Sequence, residues 1–183
     1  NKYYNKKILY KKKDDADLNK IYLWIKRCDR IIMGKEISDY KSSNLNLLLN
    51  ELKIIRNNKF NEKELIQLFN KYGIYLVIED ALPSTKIRGC SMVKGNNPCI
   101  YITRYFEEKA SFYFTLYHEL GHVKKDYNRL KNKIIINDDD NEKDIDNYAL
   151  NEMIDSNTWN KIKVNINDLE HICRENNIPL CFA

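Results

Sequence analysis

With 183 residues, of which 43% are hydrophobic, 31% charged and 11% aromatic, the chain has the balance of one globular domain, or one domain with a helical extension, and can bury a sizeable core. No apolar run approaches the roughly 18 residues of a membrane span, and no signal-peptide pattern opens the sequence, so the expectation is a cytoplasmic protein with no membrane contact. The net charge is +5, and Lys2, Lys6, Lys7, Lys11, Lys12 and Lys13 account for all of it; without a recognition motif around them they read as a solvated linker rather than a nucleic-acid arm. Cys28, Cys90, Cys99, Cys173 and Cys181 form no C-x-x-C pair, and an odd, scattered set argues for reduced thiols, mostly small buried apolar residues. The missing initiator Met suggests a fragment or a processed chain.

From Asp14 to Met33 apolar residues fall at Leu18, Ile21, Tyr22, Ile25, Cys28 and Ile32. That spacing predicts an amphipathic helix, begun by Asp14 and Asp15 and followed by Gly34. A second helix is expected over about Asn44 to Asn57, with Leu45, Leu48, Leu49, Leu52 and Ile55 as its buried stripe. Asn61 to Glu64 reads as a capping box that opens a third helix, carrying Leu65, Leu68, Phe69 and Tyr72 and stopping at Gly73. These helices bring apolar stripes rather than chemistry.

After Gly73 the period changes. Ile74 to Glu79, Lys86 to Val93 and Cys99 to Thr103 read as strands, and Gly95-Asn96-Asn97-Pro98 as the turn of an antiparallel hairpin between the last two. A small antiparallel or mixed sheet is therefore expected, with an edge strand able to hold an extended peptide by main-chain hydrogen bonds.

The run Phe112 to Lys125 then places Phe112, Leu116, Leu120 and Val123 at helical spacing and contains His118-Glu119-Leu120-Gly121-His122. Two histidines four apart lie one above the other on a helix, so both imidazoles can reach one ion. Glu119 stands about 100° further round, able to touch a water on that ion without being a ligand. Two neutral imidazoles with an open side suit catalytic Zn²⁺, with Mn²⁺ possible, and the neighbouring carboxylate suits a general base. Gly121 in a helix interior wants a reason, such as a close approach by another helix or by substrate.

Two histidines leave a catalytic zinc short of a ligand. Asp138-Asp139-Asp140 reads as a solvated loop, whereas Glu142 opens a helix with Ile145, Tyr148, Ala149 and Met153 as its stripe. Glu142 and Asp146, four apart, suit a metal ligand and a carboxylate that orients a histidine. Asp144 is the rival ligand after a small shift in the helix start. The third histidine, His171, falls on a late helix over about Asn167 to Asn176, as a surface or boundary residue. For stabilising an oxyanion, Tyr101, Tyr105, Arg88 and His171 stand as weak, equal candidates.

Phe114-Thr115-Leu116-Tyr117-His118-Glu119-Leu120-Gly121-His122 resembles the active helix of the ImmA/IrrE metallopeptidase family, and Glu142-Lys143-Asp144-Ile145-Asp146-Asn147-Tyr148-Ala149 resembles its second motif, in which the first Glu completes the metal site. Ile145 departs from that motif, where the family has Ala. Ile87-Arg88-Gly89, Pro98 to Ile102, Trp159 and Asn177-Ile178-Pro179-Leu180 are further similarities, so that the likeness spans about Leu65 to Ala183, with a weaker one from Leu18 to Trp24. It implies an α+β zincin-like metallopeptidase domain over 61–183, behind an N-terminal helical region or linker over 1–60, the two forming one compact unit. It also implies a cytosolic hydrolase whose zinc is held by His118, His122 and Glu142. Such a protein cleaves, or senses on behalf of, a protein partner such as a transcriptional repressor or toxin in stress, mobile-element or toxin–antitoxin circuits. DNA would be touched only indirectly, through a separate helix-turn-helix of the XRE kind found with HigA-type antitoxin regulators, which this sequence does not show. The alternative is a catalytically silent metal-binding regulator that acts by protein–protein binding.

Overall fold

The computed structural model describes residues 7–10, 17–104, 106, 108–136 and 142–183. Asp14, Asp15, Tyr105, Asp138 to Asp140 and the basic residues Lys2, Lys6, Lys11, Lys12 and Lys13 lie outside them.

The fold is mixed α and β, with a five-stranded sheet in the order β1 (Lys7–Tyr10), β5 (Lys133–Ile136), β3 (Gly89–Lys94), β4 (Asn97–Thr103), β2 (Tyr75–Glu79). β3 pairs antiparallel with β4 and with β5, while β1–β5 and β2–β4 are parallel. The hairpin between β3 and β4 closes on Lys94 opposite Asn97, so the turn is Gly95-Asn96 alone and Pro98 already belongs to the strand, opposite Val93. Gly95 takes φ +61°, which the first position of a type II′ turn requires. β3 starts later than the β-rich run from Lys86 suggests, because Ser84 and Lys86 are left-handed (φ 69° and 48°) and break the extended chain.

One face of the sheet is covered by α1 (Leu18–Ile32), whose Ile21, Trp24, Ile25, Cys28 and Ile32 pack on Val77, Cys90, Met92, Cys99 and Tyr101. Its start is capped by Asp17, which accepts from the amides of Asn19 and Lys20. The other face is covered by α2 (Leu45–Ile55), α3 (Glu62–Lys71), α4 (Lys109–Lys125) and α6 (Glu142–Met153), around a larger core that includes Leu48, Leu52, Phe69, Ile100, Ile102, Leu116, Leu120 and Ala149. Helices from the first 60 residues are thus built into both cores. Asn61 caps α3 through the amides of Lys63 and Glu64. A four-residue helix α5 (Tyr127–Leu130) follows α4, and α7 (Ser156–Val164) and α8 (Leu169–Glu175) close a small satellite core of Ile162, Ile172, Cys173 and Ile178. No helix among the described residues is long and apolar enough to cross a membrane. The five cysteines form no disulfide, and all but Cys181 are buried.

Two residues lock the layers together. Arg56, buried after α2, donates to the Tyr117 hydroxyl in α4 (3.2 Å), the Glu152 carbonyl in α6 (2.8 Å) and the Asn177 carbonyl near the C-terminus (3.3 Å). Gly73 ends the α3 segment at φ +76°, and a Cβ there would meet the Tyr40 backbone nitrogen at 2.5 Å. Backbone cannot move aside as a flexible side chain can, so Gly73→Ala combines a left-handed conformation with a clash. We expect a loss of about 2–3 kcal/mol, seen as a midpoint lowered by about 5–10 °C in thermal unfolding; an unchanged midpoint would mean that the Tyr40 loop yields freely.

Candidate metal centre

α4 is buried without a break from Thr115 to Val123, and this stretch holds His118, Glu119 and His122, only 8%, 4% and 1% exposed. α6 crosses α4 where Gly121 stands. A Cβ at Gly121 would meet Tyr148 Cδ1 at 2.9 Å and Ile145 Cγ2 at 3.0 Å, so the glycine is there for a close helix crossing, and the bulk of Ile145 fills the room that it leaves. This crossing brings the first turn of α6 over the two histidines.

The geometry that results converges on one point. His118 Nε2 and His122 Nε2 are 3.2 Å apart, His118 Nε2 is 3.2 Å from Glu142 Oε2, and His122 Nε2 is 3.8 Å from Glu142 Oε1. The outer nitrogens are fixed by carboxylates: His118 Nδ1 lies 2.9 Å from Asp146 Oδ1, and His122 Nδ1 lies 3.0 Å from Asp126 Oδ2. An ionised carboxylate only accepts, so each Nδ1 donates its proton outward and each Nε2 turns a lone pair inward. Two lone pairs and a carboxylate facing one another suit a cation between them. Ligands about 2.0 Å from a tetrahedral ion sit about 3.3 Å apart, which the His118–His122 and His118–Glu142 separations match. His118, His122 and Glu142 can therefore hold one metal ion, and their donor set fits a divalent ion such as zinc.

Burial, then the His122 charge, push the His118 pKa down, against the pull of Asp146. For His122 burial also pulls down, but the Asp126 hydrogen bond and the charges of Glu119, Glu142 and Asp126 outweigh it, and the net shift is upward. Asp126 is held below the usual carboxylate range, first by its bond to His122 and then, against burial, by Arg129 at 3.3 Å.

Glu119 does not join that cluster. It turns toward β3, where the Ser91 hydroxyl donates to its Oε2 at 2.5 Å and lies 3.2 Å from its main-chain carbonyl. Burial raises its pKa from 4.5 to about 7; His122 and the Ser91 bond oppose the rise, and the charge of Glu142 adds to it. A carboxyl raised on folding stabilises the fold below its unfolded value, and that contribution is lost as pH climbs through the folded one. Metal-free wild type should accordingly lose stability relative to Glu119→Gln between about pH 4.5 and 7.5, by on the order of 3 kcal/mol. Paired denaturant titrations across that range check it, and a gap that stays constant would mean that Glu119 is not desolvated.

The other candidate residues are not brought to this point. Tyr101 lies on the opposite sheet face under α1, its hydroxyl donating to Asp29 Oδ1 at 2.9 Å, because strand alternation turns it away from Gly89 and Ser91. Asp144 is exposed, two residues from both Glu142 and Asp146, and its main-chain carbonyl accepts from Lys125 at 3.0 Å. His171 is exposed on α8, 3.3 Å from Glu175. Arg88 is exposed just before β3. Tyr105 falls outside the described residues. The edge strands are β1 and β2, whereas the strand against Glu119 is the interior β3, so the sheet edge expected to carry a peptide is not the one beside this carboxylate.

Asp126 is the member that the sequence reading missed. It stands four residues after His122, the same interval that links His118 to His122, and that repeat is the signal that would have found it.

No family model, no curated protein and no solved structure matches this chain. What the site can do rests on its own geometry.

Proposed function

We propose that the chain is a zincin-like, zinc-dependent peptidase of the ImmA/IrrE kind, acting in the cytoplasm on a protein partner such as a transcriptional repressor or toxin. The observation that carries this reading is the convergence of His118 Nε2, His122 Nε2 and Glu142 on one point, with a carboxylate that is not a ligand on the same helix, one residue after the first histidine. When bound, a zinc ion would supply Lewis acidity, which makes water a nucleophile at neutral pH and polarises a carbonyl. His118, His122 and Glu142 would hold it, while Asp146 and Asp126 keep both rings in the tautomer that faces inward. Glu119 would take the proton of the attacking water and return it to the departing amine; a carboxyl whose pKa is lifted to about 7 is matched to both transfers.

A second reading, a metal-binding regulator that grips its partner without cutting it, is favoured by the burial of Glu119 at 4% exposure. Co-expression with a repressor or toxin taken from the neighbouring reading frames separates the two. The peptidase reading expects metal-dependent appearance of two partner fragments, abolished by a chelator; a partner that stays intact in a stable complex with the zinc-loaded protein would contradict it.

A further inference from the structure

β3 meets α4 at two residues whose small size and chemistry are both addressed to Glu119. Ser91 faces α4 from the middle of the sheet and is paired on both sides, to Ile100 in β4 and to Ile135 in β5, so its main chain is fixed by two neighbours. Its hydroxyl donates to Glu119 Oε2 at 2.5 Å and lies 3.2 Å from the Glu119 carbonyl, so it ties the Glu119 side chain to the strand close against the helix. Two residues earlier, on the same face, stands Gly89. A Cβ there would lie 2.7 Å from Glu119 Oε1, 3.1 Å from Thr115 Cγ2 and 3.2 Å from Glu119 Cγ, so Oε1 occupies room that exists only because residue 89 has no side chain.

We infer that Ser91 is a positioning residue for Glu119: it holds Oε2, and with the gap at Gly89 it fixes the carboxylate so that Oε1 is the oxygen left to take the proton. The inference rests on the reading of Glu119 as the base of a metal-dependent hydrolase. A hydrogen bond to an ionised carboxylate is stronger than a neutral one, and a buried strand paired on both sides gives the donor nowhere to drift. Removing the hydroxyl leaves Glu119 in its pocket but free to rotate away, which loosens the site without emptying it.

The test uses Co²⁺-loaded protein titrated with acetohydroxamate, a chelating probe whose hydroxyl also bonds to a base beside the metal, followed by the visible absorption of the cobalt. Ser91→Ala should bind the probe about 10-fold more weakly, with Co²⁺ content near wild type and an unfolding midpoint lowered by only a few degrees for the lost buried hydrogen bond. Glu119→Gln should weaken it by at least as much, and the double variant should be no weaker than Glu119→Gln alone, because Ser91 acts only through Glu119. Ser91→Thr keeps the hydroxyl and should restore most of the affinity. Wild-type binding by Ser91→Ala, losses that multiply in the double variant, or Ser91→Thr as weak as Ser91→Ala would each overturn the inference. So would a cobalt spectrum that acetohydroxamate leaves unchanged in wild type, with the metal site itself standing. Failure of wild type to take up Co²⁺ at all would instead bring down the proposed function, and this inference with it.

Discussion

Glu119→Gln should keep the metal and the fold while lowering hydrolysis by about 10²–10⁴-fold. The side chain differs by one atom group and sits in the same pocket against Ser91 and Gly89, so packing is preserved. It contributes nothing to the group His118, His122 and Glu142, so metal content should not change. What disappears is the ability to hold a proton between attack and departure of the leaving group, since an amide oxygen is a far weaker base. The measurement is single-turnover cleavage of the cognate partner at matched zinc content. Equal rates for wild type and variant would assign the water activation elsewhere, and tight partner binding by both without any cleavage would leave Glu119 as a silent buried acid.

The second large effect separates a ligand from its supports. Glu142→Gln removes the only carboxylate among the three converging groups, and zinc affinity should fall by more than 100-fold, beyond the range of roughly 10–100-fold expected for residues that only orient a ligand. Asp146→Asn and Asp126→Asn should each fall within that range, because each frees an imidazole to rotate or to present the wrong tautomer without removing a donor. Asp144→Asn should change little, since that side chain is exposed and outside the cluster. Competition titrations against a coloured zinc chelator rank the four. If Asp144→Asn proves the most damaging, the first turn of α6 meets the metal in a different register from the one described here.

The parts of the site that are legible in the sequence share one property: their spacing is local. His118 and His122 are joined by one helical turn, as are Glu142 and Asp146, and four-residue intervals survive translation from sequence to space. Asp126 shares that interval but stands at the end of α4, where an acidic residue reads as the start of a loop. Ser91 could not be found this way, because its partner is 28 residues distant and the two meet only through packing of a strand on a helix. Tyr101 shows the reverse error. Its strand is legible in the sequence, but which face each residue takes follows from register, and only pairing of Cys90 with Tyr101 and Ser91 with Ile100 reveals that Tyr101 points away from the candidate metal site. The helices follow most of their apolar stripes, but Leu18 and Tyr22 of α1 are exposed while Trp24, outside the expected stripe, is buried. The strands β1 and β5, four residues each, are too short to show alternation, so the parallel half of the sheet on that side had no sequence signature.

A metal centre built by His118, His122 and Glu142 should show itself most directly in metal content. Protein supplied with Zn²⁺ at neutral pH and then desalted should carry close to one ion per chain by elemental analysis, and His122→Ala treated in the same way should carry almost none. Absence of bound metal from the wild type under those conditions, or equal loading of wild type and His122→Ala, would contradict it.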